Sequence, residues 1–445
     1  MNNKPAILGG SQVRTQHFPK RITMGNEEKK AVSDVMDSDV LSAFFGSPGE
    51  LFLGGPKVKE FEQNWANQYG FKHAISVNSW TSGLMIALGS VGIEPGDEVI
   101  CSCYTMSASA SCCFFYGAIP IFADVDPKTY CIDPSSFERL ITPRTKAIIV
   151  VHLFGGIAEM DKILEIADRH GIKVIEDAAQ SPGIKYKGKP AGALGHIGGF
   201  SLNYHKHIHT GEGGMLATND DDIALRAQLI RNHGENCIEA FAAEDFSNFV
   251  GGNFRLTELQ AAIGIEQLKK LDKYVATRQT LAAHFTEGLS KIKGLDATQN
   301  DLHNNAYYMY PFKYNSEVIG LSRALFIKAV LAELPEPTDF EDTALAGGYI
   351  KPLYLNPIYQ KQIAIGKKGF PFTMNEGVTY NYAKGLCPVA EKLHEKEMML
   401  SPLIREPLAL EDVDDILRAI TKVVEHAADI RAAFPTLDDS TIDYV

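Results

Sequence analysis

Between residues 74 and 180, short apolar runs alternate with helix-length amphipathic stretches, and few architectures accommodate that alternation. Ala74 to Val77, Glu98 to Cys101, Ala118 to Ala123, Lys146 to Val151 and Val174 to Asp177 read as strands. Among the intervening segments, Asn78 to Leu88 passes from small polar residues into an apolar helix. Met160 to His170 places Ile163, Leu164 and Ala167 on one face. The strands carry apolar residues on both faces, so they require a mostly parallel sheet covered by helices on both sides. The predicted fold is α/β, with ligand chemistry at the carboxyl ends of the strands.

Val174-Ile175-Glu176-Asp177-Ala178-Ala179-Gln180 ends such a strand in an acid. Farther on, the run from Phe200 to Gly214 sets Lys206 among polar and small residues. An aspartate after a strand is commonly a helix cap, and a loop lysine is commonly a solvated charge. Brought together in a cleft, the pair suits pyridoxal 5′-phosphate (PLP). The amine forms a Schiff base with the aldehyde, and the carboxylate holds the pyridine nitrogen protonated. Gly211, Gly213 and Gly214 permit a tight reversal beside a bound ring. Ser201 offers a hydroxyl to a phosphate oxygen. If Ser201 to Ile208 is extended, its period of two turns Lys206 away from His205 and His207.

Asp177-Ala-Ala-Gln180, Ser201 with Lys206 five residues on, and Gly211-Glu-Gly-Gly214 together resemble the DegT/DnrJ/EryC1/StrS aminotransferases. These PLP enzymes aminate keto-sugars and keto-cyclitols. The resemblance runs from about Gly25 to about Val424 and implies a fold-type-I transferase. It places Gln180 beside the phenolic oxygen of the cofactor and Tyr104 as an aromatic stacked on the ring. Where the family has a short Gly-Thr or Ala-Thr phosphate element, this chain has Trp80-Thr81. An N-cap by Ser79 or Thr81 explains the same polar residues. In Gly251-Gly252-Asn253-Phe254-Arg255, the resemblance gives Asn253 to the cofactor phosphate of a neighbouring subunit, and hence a homodimer with shared sites. Read without it, Asn253 is a capping residue and Tyr104 a core aromatic. His152, at another strand end, reads as a hydrogen-bonded structural histidine.

Forty-three basic and 55 acidic residues give a net charge of −12 with no basic block, which argues against a nucleic-acid partner. The longest apolar runs fall far short of the ~20 residues of a membrane helix. The first ten residues lack the pattern of a secretion signal. Seven cysteines, four of them clustered at 101, 103, 112 and 113 without metal-ligand spacing, read as buried free thiols in a reducing cytoplasm.

Three parts are expected: an N-terminal arm over residues 1–24, a large PLP-binding α/β domain over 25–273, and a smaller C-terminal α+β domain over 274–445. The loop from Leu41 to Gly55 carries Phe44, Phe45, Leu51 and Phe52, which either form a local cluster or meet a partner. Gly183 to Gly199 reads as a pair of loops. Residues 335–386 read as long loops, some of which form the substrate entrance, and the tail after Pro435 as acidic and mobile.

The function this implies is transamination through the PLP and pyridoxamine (PMP) forms of the cofactor. Lys206 and Asp177 are the catalytic residues. The amino donor is L-glutamate or L-glutamine, and the acceptor is a keto-sugar, nucleotide-linked, or a keto-cyclitol. The alternatives are a PLP/PMP-dependent sugar dehydratase of the same family, whose members carry histidine at the lysine position, and a non-catalytic PLP-binding regulator.

Overall fold

The alternation of apolar runs and helices builds one large sheet in the computed structural model, which describes residues 3–241, 247–297, 304–338 and 340–435. Its strands, in chain order, are β1 (His73–Val77), β2 (Glu98–Ser102), β3 (Ile119–Ala123), β4 (Thr145–Val151) and β5 (Lys173–Asp177). After a small hairpin, β6 (Lys185–Tyr186) and β7 (Lys189–Pro190), come β8 (Ile197–Ser201) and β9 (Gly214–Thr218). The seven-stranded order is β1-β9-β8-β5-β4-β2-β3. Neighbours from β8 to β3 are parallel, and only β9 runs against the rest. The carboxyl ends of β2, β4, β5 and β8 therefore open on one edge, which carries Asp177 and Ser201.

Local chemistry sets the helix starts. The Ser79 hydroxyl accepts from the amide of Ser82 at the head of the helix Trp80–Ser90. Thr257 and Gln260 cap each other reciprocally before Glu258–Leu268. Ser322 caps Arg323–Ala332, and Met160–His170 has the bounds read from the sequence.

Two sequence expectations fail around the large sheet. Residues 183–199 are not a pair of loops, because β8 begins at Ile197 and runs through Gly198 and Gly199. Glycine has low strand propensity, but tertiary contact overrides it here: a Cβ on Gly199 would lie 2.1 Å from the Trp80 ring. Nor is Ser201–Ile208 extended. Pairing ends at Ser201 opposite Gly214, and the chain then turns, closed by bonds from Leu202 N to Gly213 O and from Thr210 N to Leu202 O.

The C-terminal part holds a four-stranded antiparallel sheet: β10 (Leu295–Ala297), β11 (Tyr310–Tyr314), β12 (Ala346–Gly347) and β13 (Met398–Ser401), in the order β10-β11-β13-β12. Leu271–Leu289 and Leu410–Glu425 pack on it. The N-terminal arm lies against this sheet's core through Ile7, Leu8, Val13 and Phe18. The segment from Leu353 to Cys387 behaves differently. Its Tyr354, Tyr359, Phe372 and Tyr382 join the core of the large sheet, around Phe114 and Phe122. In the loop after Leu41, Phe44 and Phe52 are buried while Phe45 and Leu51 are exposed. All seven cysteines are free and buried, as read. No helix of the described residues is long and apolar enough to cross a membrane. The tail after Pro435 lies outside the described residues.

Candidate active site

Asp177 ends β5 with its side chain buried. Its Oδ1 accepts from Trp80 Nε1 at 2.8 Å and from the amide of Ala179 at 3.2 Å, and its Oδ2 accepts from Ser109 Oγ at 2.7 Å. A carboxylate offers about four lone pairs, so one remains on Oδ2 for a further donor. Trp80, the bulky departure from the phosphate element, holds this acid in place. Its ring lies over Gly199 and Gly83, where Cβ atoms would come within 2.1 Å and 2.4 Å of it.

Lys206 sits in the turn after β8. Burial outweighs the attraction of Asp177 and lowers its pKa from 10.5 to about 8. Its Nζ lies 4.0 Å from the centroid of the Tyr308 ring. The turn is held from behind by Arg21 of the N-terminal arm, whose guanidinium donates to the carbonyls of Lys206 and His207. His207 points into the core, its Nε2 2.8 Å from the Ala306 carbonyl oxygen, and burial and then Arg278 push its pKa well down. His205, against the expected alternation, faces the same cavity as Lys206. Its Nδ1 meets Glu341 at 2.6 Å. Burial opposes ionisation of Glu341, yet His205 and Arg405 hold its pKa down at about 2.

These groups enclose a cavity of about 380 Å³. One wall is the head of the helix Trp80–Ser90, with Ser79, Trp80 and Thr81 and the orphan amides of a first turn. Ser201 contributes its hydroxyl from the end of β8. Gln180 is buried, with Oε1 accepting from the amide of Phe154 at 2.6 Å and Nε2 donating to the Tyr349 hydroxyl at 3.2 Å. The structure thus brings Asp177, Lys206, Gln180, Trp80, Thr81 and Ser201 together.

Tyr104 is not brought to the cavity. Beyond the end of β2 the chain turns it into the core, where its ring meets Tyr349 and His394 edge-on at 5.9 and 6.2 Å. Thr105 and Met106 take the cavity wall instead. The stacking position assigned to Tyr104 is therefore corrected. Asn253 is exposed and outside this chain's cavity, its Oδ1 accepting from Arg255 Nε at 2.7 Å. His152 is structural, as read: its Nε2 lies 2.9 Å from Glu176, which also accepts from the amides of Gly192, Leu194 and Gly195.

Among the cavity residues that escaped the sequence reading, three contact the predicted groups: Ser109, Tyr308 and Tyr349. Tyr349 lies within the stretch read as a substrate entrance, but no local pattern marks any of the three.

The donor set fits PLP. A free lone pair on a buried carboxylate faces the cavity, a desolvated amine stands beside it, and a helix head with two hydroxyls provides an anion site. A mostly parallel sheet with this lysine and acid at its carboxyl edge, joined to a smaller C-terminal sheet, is a fold-type-I PLP transferase. The comparisons agree. The profile of the DegT/DnrJ/EryC1/StrS aminotransferase family matches residues 23–421. The L-glutamine:scyllo-inosose aminotransferase of Streptomyces griseus is 32% identical over 444 residues, covering 97% of this chain and 100% of that one. The GDP-perosamine synthase of Caulobacter vibrioides is 41% identical over 269 residues, covering 60% of this chain and 69% of that one. Among solved structures, an aminotransferase from Psychrobacter cryohalolentis superposes with a TM-score of 0.77 at 28% identity, covering 94% and 100% of the two chains. The chain belongs to the DegT/DnrJ/EryC1/StrS family and is a PLP-dependent aminotransferase.

Proposed function

We propose that the enzyme moves an amino group from L-glutamine or L-glutamate to a keto-cyclitol or keto-sugar. The full-length similarity to a glutamine:scyllo-inosose aminotransferase supports a cyclitol-like acceptor, and the similarity to a GDP-perosamine synthase keeps a nucleotide-linked sugar in view. The observation that carries the reading is Lys206, an amine with a pKa near 8 in a cavity it shares with Asp177.

When bound, PLP supplies an aldehyde that condenses with amines and a ring that accepts electrons. Asp177 would offer its remaining Oδ2 lone pair to the pyridine nitrogen and hold that nitrogen protonated. Trp80 and Ser109 fix the acid's orientation. Gln180 would stand beside the ring's phenolic oxygen. Thr81, Ser201 and the helix head would bind the phosphate, and Asn253 of the partner subunit would complete that site in a homodimer. Lys206 Nζ would serve as the base that takes the proton from the donor's α-carbon and returns a proton to the corresponding carbon of the acceptor. A pKa near 8 suits both directions at neutral pH.

The dehydratase reading puts histidine at the lysine position, where this chain has Lys206; of the flanking histidines, His207 faces the core and His205, which lines the cavity, is held against Glu341. The regulator reading leaves a desolvated lysine facing a buried acid without a task.

The test is spectroscopic. The purified protein should show a visible absorbance band that L-glutamine or L-glutamate bleaches and a keto acceptor restores. After borohydride reduction, peptide mapping should place the pyridoxyl label on Lys206 alone. A label on Lys185 or Lys187, or a band unaffected by the donors, would refute the assignment.

A further inference from the structure

Tyr349 stands on the cavity wall with its backbone pinned on both sides. The amide of Gly348 donates to Met398 O at 2.8 Å, and the amide of Leu353 donates to Cys103 O at 2.8 Å. Its ring is held edge-on by Phe154 at 5.0 Å and by Tyr104 at 5.9 Å. The ring is thus fixed, and the question is what its hydroxyl does.

Gln180 answers part of it. The Phe154 amide can only donate, so the Gln180 atom 2.6 Å from it is the carbonyl oxygen, and the NH₂ group is the end that faces Tyr349. That NH₂ donates to the phenol oxygen at 3.2 Å, which leaves the phenol's own proton without an acceptor among the described residues. Burial raises the pKa of Tyr349, so the phenol keeps that proton at neutral pH. A rigid, neutral O–H donor directed by a locked amide is a device for reading an oxygen atom of a ligand. Tyr308, the other phenol in the cavity, instead places its ring face under Lys206.

We propose that Tyr349 is an acceptor-positioning residue: its hydroxyl, oriented through Gln180, donates to a ring oxygen or hydroxyl of the keto-cyclitol or keto-sugar and discriminates such acceptors from simple keto-acids. This rests on the proposed function and adds the residue that selects the acceptor. Tyr349 follows β12 of the smaller sheet, so the donor half-reaction uses groups on the large sheet, whereas acceptor choice falls to a wall supplied by a different stretch of chain.

The experiment compares wild type with Tyr349→Phe, which keeps the ring and its packing and removes only the O–H. Binding of myo-inositol, an unreactive cyclitol, is measured by calorimetry on the cofactor-loaded protein. The PMP form is then reoxidised with scyllo-inosose and, separately, with 2-oxoglutarate. One neutral hydrogen bond corresponds to about a five- to tenfold effect. The expected result is myo-inositol affinity and scyllo-inosose kcat/KM each lowered by that factor, with the loss in KM, and 2-oxoglutarate reoxidation within about twofold of wild type. Equal losses with both acceptors, no loss, or no myo-inositol binding to either protein overturns the proposal. So does a shift of the cofactor absorbance maximum in Tyr349→Phe, which would make Tyr349 a cofactor contact. Failure of the wild-type band to bleach with either amino donor would instead defeat the proposed function, independently of Tyr349.

Discussion

Replacing Lys206 by methionine should stabilise the cofactor-free protein, and the gain should vanish at high pH. The ordinary lysine pKa of 10.5 falls to about 8 in the folded chain, chiefly through burial. The unfolded chain keeps its proton up to about pH 10.5 and the folded one only up to about pH 8. Between those values the unfolded state binds more protons, so the stability of the wild type rises with pH. Below pH 8 the full penalty of a buried ammonium stands, and above 10.5 it is gone. A difference of this size corresponds to about 3 kcal/mol. Desolvation wins over the attraction of Asp177, and Lys206→Met should be more stable by about 3 kcal/mol at pH 7. The advantage should disappear toward pH 10.5, with methionine filling the space of the lysine stem. The assay is urea unfolding of both apoproteins from pH 7 to 10.5, read as the difference in midpoint multiplied by the m-value. A difference that is flat with pH, or a variant less stable at pH 7, would refute the reasoning.

Three further outcomes follow, two from the geometry of the site and one from the proposed shared dimer. Asp177→Asn retains the shape that Trp80 and Ser109 grip but loses the charge, so it should fold normally and lose at least ~10²-fold in steady-state turnover; full activity would remove Asp177 from its role. Gly199→Ala forces a methyl against the Trp80 ring and should cost about 1–3 kcal/mol in denaturant unfolding and weaken cofactor retention on dialysis, whereas an unchanged protein would show that the Trp80–Asp177 contact is not held as described. A mixed dimer of Lys206→Ala and Asn253→Ala chains should regain activity in the one site where both residues are intact; a fully active monomer by light scattering would refute the shared site.

Much of this site was legible because its signals are local. Asp177 closes an apolar run, and Lys206 sits before a glycine-rich reversal, so strand ends and turns could be read from neighbours in sequence. Ser109, Tyr308 and Tyr349 were not legible, since each gains its meaning only by meeting residues tens or hundreds of positions away. The errors have the same origin. Gly199 looks like loop until the Trp80 ring, about 120 residues earlier, is seen to need the space, and Gly198 until the Gly192 backbone and Glu176 are seen to crowd it. The polar run after Ser201 looks extended until Gly213 closes it into a loop. Tyr104 follows a strand at the right place for stacking, but the turn that buries it is fixed by Tyr349 and His394, on a distant segment.

The packing of Leu353–Cys387 against Phe114 and Phe122 has a consequence for the order in which the protein acquires structure during synthesis. The last strand of the large sheet, β9, is complete at Thr218, yet the aromatic cover of the β3 side comes from Tyr354, Tyr359, Phe372 and Tyr382. The buried carboxylate of Asp124, just past β3, accepts from the amides of Val389 and Ala390. A nascent chain that has emerged only as far as residue 345 therefore holds a full set of sheet strands with one flank bare and the Asp124 carboxylate short of two donors, keeping the Val125 amide. Such an intermediate exposes apolar surface for as long as some 45 further residues take to be made, a window of a few seconds at ordinary elongation rates, and it is the species a chaperone would meet.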